Sequence, residues 1–365
     1  MLSYTIMSSL TPEFLRGNRG LSSSRFTSLQ QTLVQAWYAP RSWVQLLTPI
    51  AWLFRLLVAF RRSVLQALYQ GRTFAVPLAV IGNISVGGSG KTPLIIGMVR
   101  ALHKRGYKVA VISRGYGGKA LNYPLEVKVD TPVEECGDEP LLLKRQLEEY
   151  ACSVVVDAKR KRAAEFAVDN CCCDLILSDD GLQHYKLHRD AEIAVIDGAR
   201  AFGNGHCLPA GPLREPISRL AKVDFILTNG VLKKPSNPVS NFQFMLEPRA
   251  FRNLQSGEIV AAHSWNYSPS VHAVAAIGNP QRFAATLESL GLEVILHAVD
   301  DHKPLHSDLL NFNDTNPVII TEKDAVKLRS VRNQHIWVLE TDISLDDGFL
   351  DGFLARIKLT ANKEY

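Results

Sequence analysis

The sequence predicts the α/β class, with a parallel-sheet core, a second smaller α/β lobe and an amphipathic helix ahead of both. Three observations carry this. From residue 77 onward, apolar runs of strand length alternate with segments whose apolar residues fall at helical spacing. One of those runs, 77–81, leads into a glycine-rich stretch ending in Lys91 and Thr92, and a helical segment follows over 94–104. Upstream, Leu46, Ile50, Leu53, Leu57, Phe60, Val64 and Leu68 recur at helical spacing, with Thr48, Arg55, Arg62 and Gln66 on the other side.

The glycine-rich stretch is Ser85, Val86, Gly87, Gly88, Ser89, Gly90, Lys91 and Thr92. Strand, glycine loop, Lys-Thr and helix is the phosphate-binding arrangement, which makes the core a P-loop NTPase-type sheet. Glycines let successive backbone N–H groups converge on an anion, and the helix N-terminus adds partial positive charge. Lys91 would reach the β/γ-phosphates and the Thr92 hydroxyl would ligate Mg²⁺. Ser85 stands where the usual pattern has glycine. A glycine-rich turn without a ligand is the bland alternative.

At 365 residues the chain is long enough for two domains, and 46% hydrophobic with 21% charged residues excludes disorder and collagen-like classes. The net charge of +5 is unevenly spread: residues 1–72 carry +7 and the rest −2. The basic excess therefore belongs to the N-terminus, where an anionic membrane surface suits it as well as a nucleic acid would. No nucleic acid and no obligate protein partner is inferred. Cys136, Cys152, the run 171–173 and Cys207 form no CxxC pair, and the N-terminus has no secretory pattern. The cysteines are expected to be packing residues in a reducing, cytosolic setting.

Residues 1–35 are expected to be a poorly ordered extension, and 36–72 an interfacial helix. The apolar part of 43–60 is short for a span of ~20 residues, and Arg55 at mid-bilayer would cost ~2.5–3.5 kcal/mol. A helix lying in the interface fits better, and one packed on its own domain is the alternative. The core is assigned to 73–240, a strand-like hinge to 241–262 and the second lobe to 263–365. In such sheets ligands sit at the carboxyl ends of the strands.

Candidate residues collect at those ends. Asp179 and Asp180 finish an apolar strand over 174–180, the place for metal-orienting carboxylates in phosphoryl transfer, unless they are a solvated turn. Asp138 and Glu139 open a helix, either as partners of its dipole or with one acting as general base. Asp301 and His302 could support such a base from across a cleft. Arg114, Arg160 and Arg214 follow strands and could grip an anionic group or simply be solvated. Val86 stands where partitioning ATPases have a lysine, and Thr321-Glu-Lys-Asp324 displaces the lysine of the GTPase Asn/Thr-Lys-x-Asp motif. ATP is favoured over GTP.

The strings GNISVGGSGKTP, SRGYGG, GDEP, SDDGLQH, LPAGPLREP, IGNPQRF, DH and TEKDAVK occur in this order between residues 82 and 327. Together they resemble the tetraacyldisaccharide 4′-kinase family of the lipid A pathway in Gram-negative bacteria, from about Tyr38 to the C-terminus. The Ser85 departure is normal for that family. The resemblance implies ATP- and Mg²⁺-dependent phosphorylation of the 4′-hydroxyl of a tetraacylated glucosamine disaccharide 1-phosphate, giving lipid IVA. It also implies a peripheral or monotopic enzyme on the cytoplasmic face of the inner membrane. Position by position, it implies that Ser85–Thr92 (85–92) binds ATP and that Asp138 is the general base, paired with His302. Asp179 and Asp180 would be the metal-site acids, with Gln183 and His184 close by. Arg160, Arg214 and Glu215 would line the substrate and metal region. A partner-switching P-loop ATPase and a binding module without catalysis are the competing readings.

Overall fold

The computed structural model describes residues 32–39, 42–68, 73–232, 242–300, 305, 307–328 and 333–359. The extension expected over 1–35 falls outside these residues except for its last four, which begin a helical turn over 32–38. Asp301 and His302 also fall outside them. The described residues belong to two compact units. One takes those of 1–68 with 84–86 and 200–222, and the other those of 69–83, 87–199 and 223–365.

In the first unit a 3₁₀ turn, Trp43–Leu47, leads into helix α1 (Thr48–Ala67). Pro49 sits in the first turn of α1, where a missing N–H costs no hydrogen bond, so it starts the helix and does not kink it. Along α1 only Ala51 is buried. The small core of this unit gathers Ala36, Trp37, Val44 and Leu208, with the Trp37 indole N–H donating to the Pro209 carbonyl at 2.9 Å. Residues 84–86 join it through backbone bonds: Val86 N–H to Pro212 O at 2.8 Å and Arg214 N–H to Ile84 O at 2.7 Å.

The second unit is built on one sheet. Its strands are β1 (Leu78–Gly82), β2 (Val109–Ser113), β3 (Leu125–Glu126), β4 (Ser153–Val156), β5 (Leu175–Asp179), β6 (Ala191–Asp197) and β7 (Phe225–Asn229), followed by β8 (Phe242–Asn253), β9 (Ile259–Ala261), β10 (Ser270–Ala275), β11 (Glu293–Ala298), β12 (Val318–Thr321) and β13 (Ile336–Leu345). Their spatial order is β11-β10-β12-β13-β8-β7-β6-β1-β5-β2-β4-β3, with β9 on β8. Pairing is parallel except for β3 on β4, β9 on β8 and β8 on β13. β1, β2, β5 and β7 are buried at every position, which is why each reads as an apolar run, with polar residues only toward the carboxyl ends of β2, β5 and β7.

Residues 241–262, expected as a hinge, contribute β8 and β9 to this sheet. β8 pairs β7 in parallel at its start and then runs antiparallel to nine residues of β13, from Phe244↔Leu345 to Asn253↔Trp337. The strands expected in separate lobes therefore share one continuous ladder. It exists because β8 is long enough to satisfy both neighbours.

The helices are α2 (Lys91–Lys104), α3 (Val133–Cys136), α4 (Asp138–Gln146), α5 (Arg160–Asn170), α6 (Pro280–Ser289), α7 (Glu322–Ala325) and α8 (Asp347–Arg356). α2 buries Leu94, Ile95, Met98, Val99 and Leu102. It begins three residues earlier than its apolar pattern suggests, because Pro93 is tolerated in a first turn whose N–H groups are unpaired. α8 sets Phe349 and Phe353 against Phe225. The six cysteines are free, but the run 171–173 is not the buried packing element expected: Cys172 is exposed, with φ +45° at the end of α5.

Candidate functional site

β1 lies between β5 and β6, so the chain leaves it at the point where the strand order reverses. Asn83 follows β1 directly. Its amide donates to the Gly87 carbonyl at 3.2 Å, and its Oδ1 accepts from Lys91 Nζ at 3.3 Å. Gly87 and Gly90 have φ of +98° and +93°, the left-handed region that favours glycine. Ser85 and Val86, by contrast, belong to the first unit, where Ser85 bridges Leu213.

Lys91 Nζ stands 3.4 Å from Asp180 Oδ1. Asp180 takes φ +47° immediately after β5, and Asp179 is that strand's last residue. Asp179 is buried, with Oδ2 3.4 Å from Ser113 Oγ and Oδ1 without a hydrogen-bond partner. Burial raises its carboxyl well above the usual range; the nearby Glu139 charge adds to this and Lys91 opposes it. An orphaned carboxylate oxygen beside a phosphate-type loop fits a hard cation held by one or two carboxylates together with phosphate oxygens. Among the described residues no cluster of three His, Cys, Asp or Glu side chains forms a self-sufficient metal cage.

Asp138 opens α4 and is buried, its Oδ1 accepting from the Glu139 N–H at 3.0 Å. Lys323, on α7, places Nζ 3.8 Å from Asp138 Oδ2 and 3.1 Å from Glu139 Oε1. His302, named from the sequence as the partner of Asp138, lies outside the described residues. Lys323 is a cation beside Asp138 that residue patterns did not single out.

The structure divides the remaining candidates. Gln183 donates to the Asn83 carbonyl at 3.1 Å. His184 is pushed down to about 3 by burial, with Arg160 as the next cause, so its imidazole is neutral. Arg160 is itself buried and pushed down to about 10, mainly by desolvation. It donates to the carbonyls of Asp157 at 3.0 Å and Asp179 at 3.1 Å, bracing the ends of β4 and β5. Arg114 is exposed. Arg214 and Glu215 are buried in the first unit, with Glu215 Oε1 3.8 Å from Arg219 Nε.

Two functional neighbours escaped sequence reasoning. Asn229, the buried last residue of β7, donates its amide to the Ser89 carbonyl at 3.1 Å. Arg282, in the first turn of α6, donates Nη2 to Asn229 Oδ1 at 2.6 Å. The signal available was their position: Asn229 closes an apolar run, and Arg282 lies within the IGNPQRF string.

The chain is similar to known proteins over most of its length. The model of the tetraacyldisaccharide-1-P 4′-kinase family matches residues 43–358. The chain is 42% identical over 330 residues to a tetraacyldisaccharide 4′-kinase of Pseudomonas fluorescens strain SBW25, covering 89% of this chain and 96% of that one. It is 40% identical over 329 residues to the enzyme of that name from Hahella chejuensis, with 88% and 95% covered. A crystal structure of LpxK from Aquifex aeolicus in complex with ATP superposes with a TM-score of 0.70 at 25% identity, covering 86% of this chain and 99% of that one. With the family model spanning most of its length, the chain belongs to the tetraacyldisaccharide-1-P 4′-kinase family.

Proposed function

We infer that this chain is the kinase that transfers the γ-phosphate of ATP to the 4′-hydroxyl of tetraacyldisaccharide 1-phosphate, forming lipid IVA in lipid A biosynthesis. The observation that carries the reading is Lys91 and Asp180 meeting at 3.4 Å where the chain leaves β1 and β5, within a chain of this family. The loop 85–92 binds ATP, and Lys91 stabilises charge on the transferring oxygens. Thr92, Asp179 and Asp180 are the residues that would hold Mg²⁺. When bound, the ion neutralises charge on the β- and γ-phosphates. Asp138, with His302, takes the proton of the 4′-hydroxyl as that oxygen forms its bond to the γ-phosphorus, and ADP leaves with the electrons of the broken bond. Arg114, Arg160, Gln183 and His184 line the substrate region.

The same reading places the enzyme at a membrane, on its cytoplasmic face. The helix over Trp43–Ala67 is long and apolar enough to cross a bilayer by length and composition. Leu46 is 82% and Phe60 70% exposed, and Ile50, Trp52, Leu53, Leu56 and Leu57 are also exposed. Arg55, Arg61 and Arg62 interrupt that apolar surface, which favours a helix lying in the interface with its arginines toward headgroups. A substrate with four acyl chains stays in the bilayer, at ~0.8 kcal/mol per buried CH₂, so its kinase must work there.

The test is transfer of label from γ-labelled ATP to detergent-dispersed tetraacyldisaccharide 1-phosphate, run beside Lys91→Ala and Asp138→Ala. Labelled lipid from the intact chain alone supports the reading. ATP hydrolysis without labelled lipid overturns it.

A further inference from the structure

We propose that Asn229 and Arg282 form a positioning pair that fixes the Ser89–Gly90 peptide so that the Gly90 N–H faces the ATP phosphates. The inference rests on the reading that the loop 85–92 binds ATP.

An asparagine amide can be turned either way round, and here its neighbours decide the orientation. Arg282 has only donors to offer, so its contact at 2.6 Å must be with Oδ1. The Asn229 amide nitrogen is thereby committed to the opposite side, where the Ser89 carbonyl accepts from it at 3.1 Å. In a planar trans peptide the C=O and the following N–H point in opposite directions. Holding the Ser89 carbonyl against β7 therefore turns the Gly90 N–H away from Asn229, toward the open side of the loop. That N–H lies at the N-terminus of α2, where an anion also meets the helix dipole.

Three further features hold the arrangement. Asn229 is 3% exposed, so its amide is shielded from bulk solvent. A Cβ built on Gly90 would lie 2.1 Å from the Asn229 amide nitrogen, so only glycine admits the contact. Arg282 is aimed by its own element: Asn279 caps α6 by accepting from the Arg282 N–H at 3.2 Å. The Asn279 amide reaches Asp197 at 3.5 Å, at the end of β6. A Cβ on Gly88 would come within 3.9 Å of the Gly278 Cα, so the turn before α6 lies directly against the loop. The orientation of one phosphate-loop peptide is thus set from α6, far away in sequence.

Neither residue touches the reacting atoms in this account, and the test must separate positioning from general support of the fold. ATP affinity is measured by titration, and KM for ATP and for the lipid by steady-state kinetics. The full-length protein is compared with Asn229→Asp, Arg282→Met, Arg282→Lys and Lys91→Ala. Asn229→Asp keeps shape and the link to Arg282 but cannot donate to the Ser89 carbonyl. It should weaken ATP binding and raise KM for ATP at least tenfold, with KM for the lipid within twofold of wild type. Arg282→Met should act in the same direction, and Arg282→Lys should recover part of the loss. ATP affinity within twofold of wild type in both Asn229→Asp and Arg282→Met would overturn the inference, as would equal changes in both KM values. If Asn229→Asp does not fold, Arg282→Met at its half-buried position decides by the same criteria. Wild type that binds ATP no better than Lys91→Ala would instead remove the reading on which the inference rests.

Discussion

Lys323 reaches from α7 to Asp138 at the start of α4, its Nζ 3.8 Å from Oδ2. The same Nζ lies 3.1 Å from Glu139 Oε1, so one ammonium ties down both carboxylates that open α4. If Asp138 takes the 4′-hydroxyl proton, Lys323 helps to fix where that carboxylate stands. Lys323→Ala should lower kcat roughly tenfold, and Lys323→Arg should restore most of it. Unchanged kcat in Lys323→Ala would sink this role.

Gly90 is held at φ +93° and has no room for a side chain. Gly90→Ala should cost about 1–2 kcal/mol for the left-handed conformation alone, and it pushes Asn229 off the loop. Urea unfolding should show the stability loss, and ATP titration should show binding reduced to the level of Lys91→Ala.

Asp324 is a structural carboxylate. Fully buried, it accepts from the Ala276 N–H at 3.1 Å, the Thr321 hydroxyl at 2.8 Å and Lys327 Nζ at 2.8 Å. Asp324→Ala leaves the Ala276 N–H and the Thr321 hydroxyl without this acceptor and Lys327 Nζ with only the Ala276 carbonyl, and should destabilise the protein by about 3–5 kcal/mol. Asp324→Asn, which keeps an acceptor, should cost less. Chemical denaturation distinguishes the two.

Glu322, in the same string, is pushed up from 4.5 to about 7, chiefly by burial. A carboxyl raised in the folded state holds its proton more tightly there than in the unfolded chain. The stability it contributes is therefore complete below pH 4.5 and is lost as pH rises through about 7. Unfolding free energy measured from pH 5 to pH 8 should fall with pH. Glu322→Gln should flatten that slope, leaving the part due to Asp179.

The membrane reading makes its own demand on α1 and the turn before it. Leu46, Leu53 and Phe60 are exposed, and each would bury a large side chain in the interface. At about 1.5–3 kcal/mol apiece, replacing all three with serine should weaken vesicle binding more than a hundredfold. Co-flotation with anionic vesicles measures this, while activity on detergent-dispersed substrate should persist. Undiminished flotation of the triple variant would count against the interfacial helix.

Much of this could be read along the chain. Strands β1, β2, β5 and β7 are buried on both faces, so each opens on consecutive apolar residues, and that pattern is local. The glycines of the loop, with Lys91 and Thr92, announce phosphate chemistry because few other residues allow a backbone to wrap an anion. The carboxylates Asp179 and Asp180 at the end of β5 stand out because they close an apolar run. Their order with the other motifs was enough to indicate the family.

Other features depend on residues far apart in the chain. Helix α5 begins inside a basic cluster, and Arg160 is buried there because the carbonyls of Asp157 and Asp179 accept from it and the charges of Asp179 and Asp180 lie near it. The long antiparallel pairing of β8 with β13 makes one sheet of what alternation alone divides into two lobes. Lys323 meets Asp138, and Arg282 turns Asn229 toward Ser89, across separations that no local pattern encodes. Local propensity and burial write strands, helices and glycine loops into the sequence. Which charge faces which carboxylate was decided only when the sheet closed its long-range pairings, because that is when distant side chains share one desolvated space.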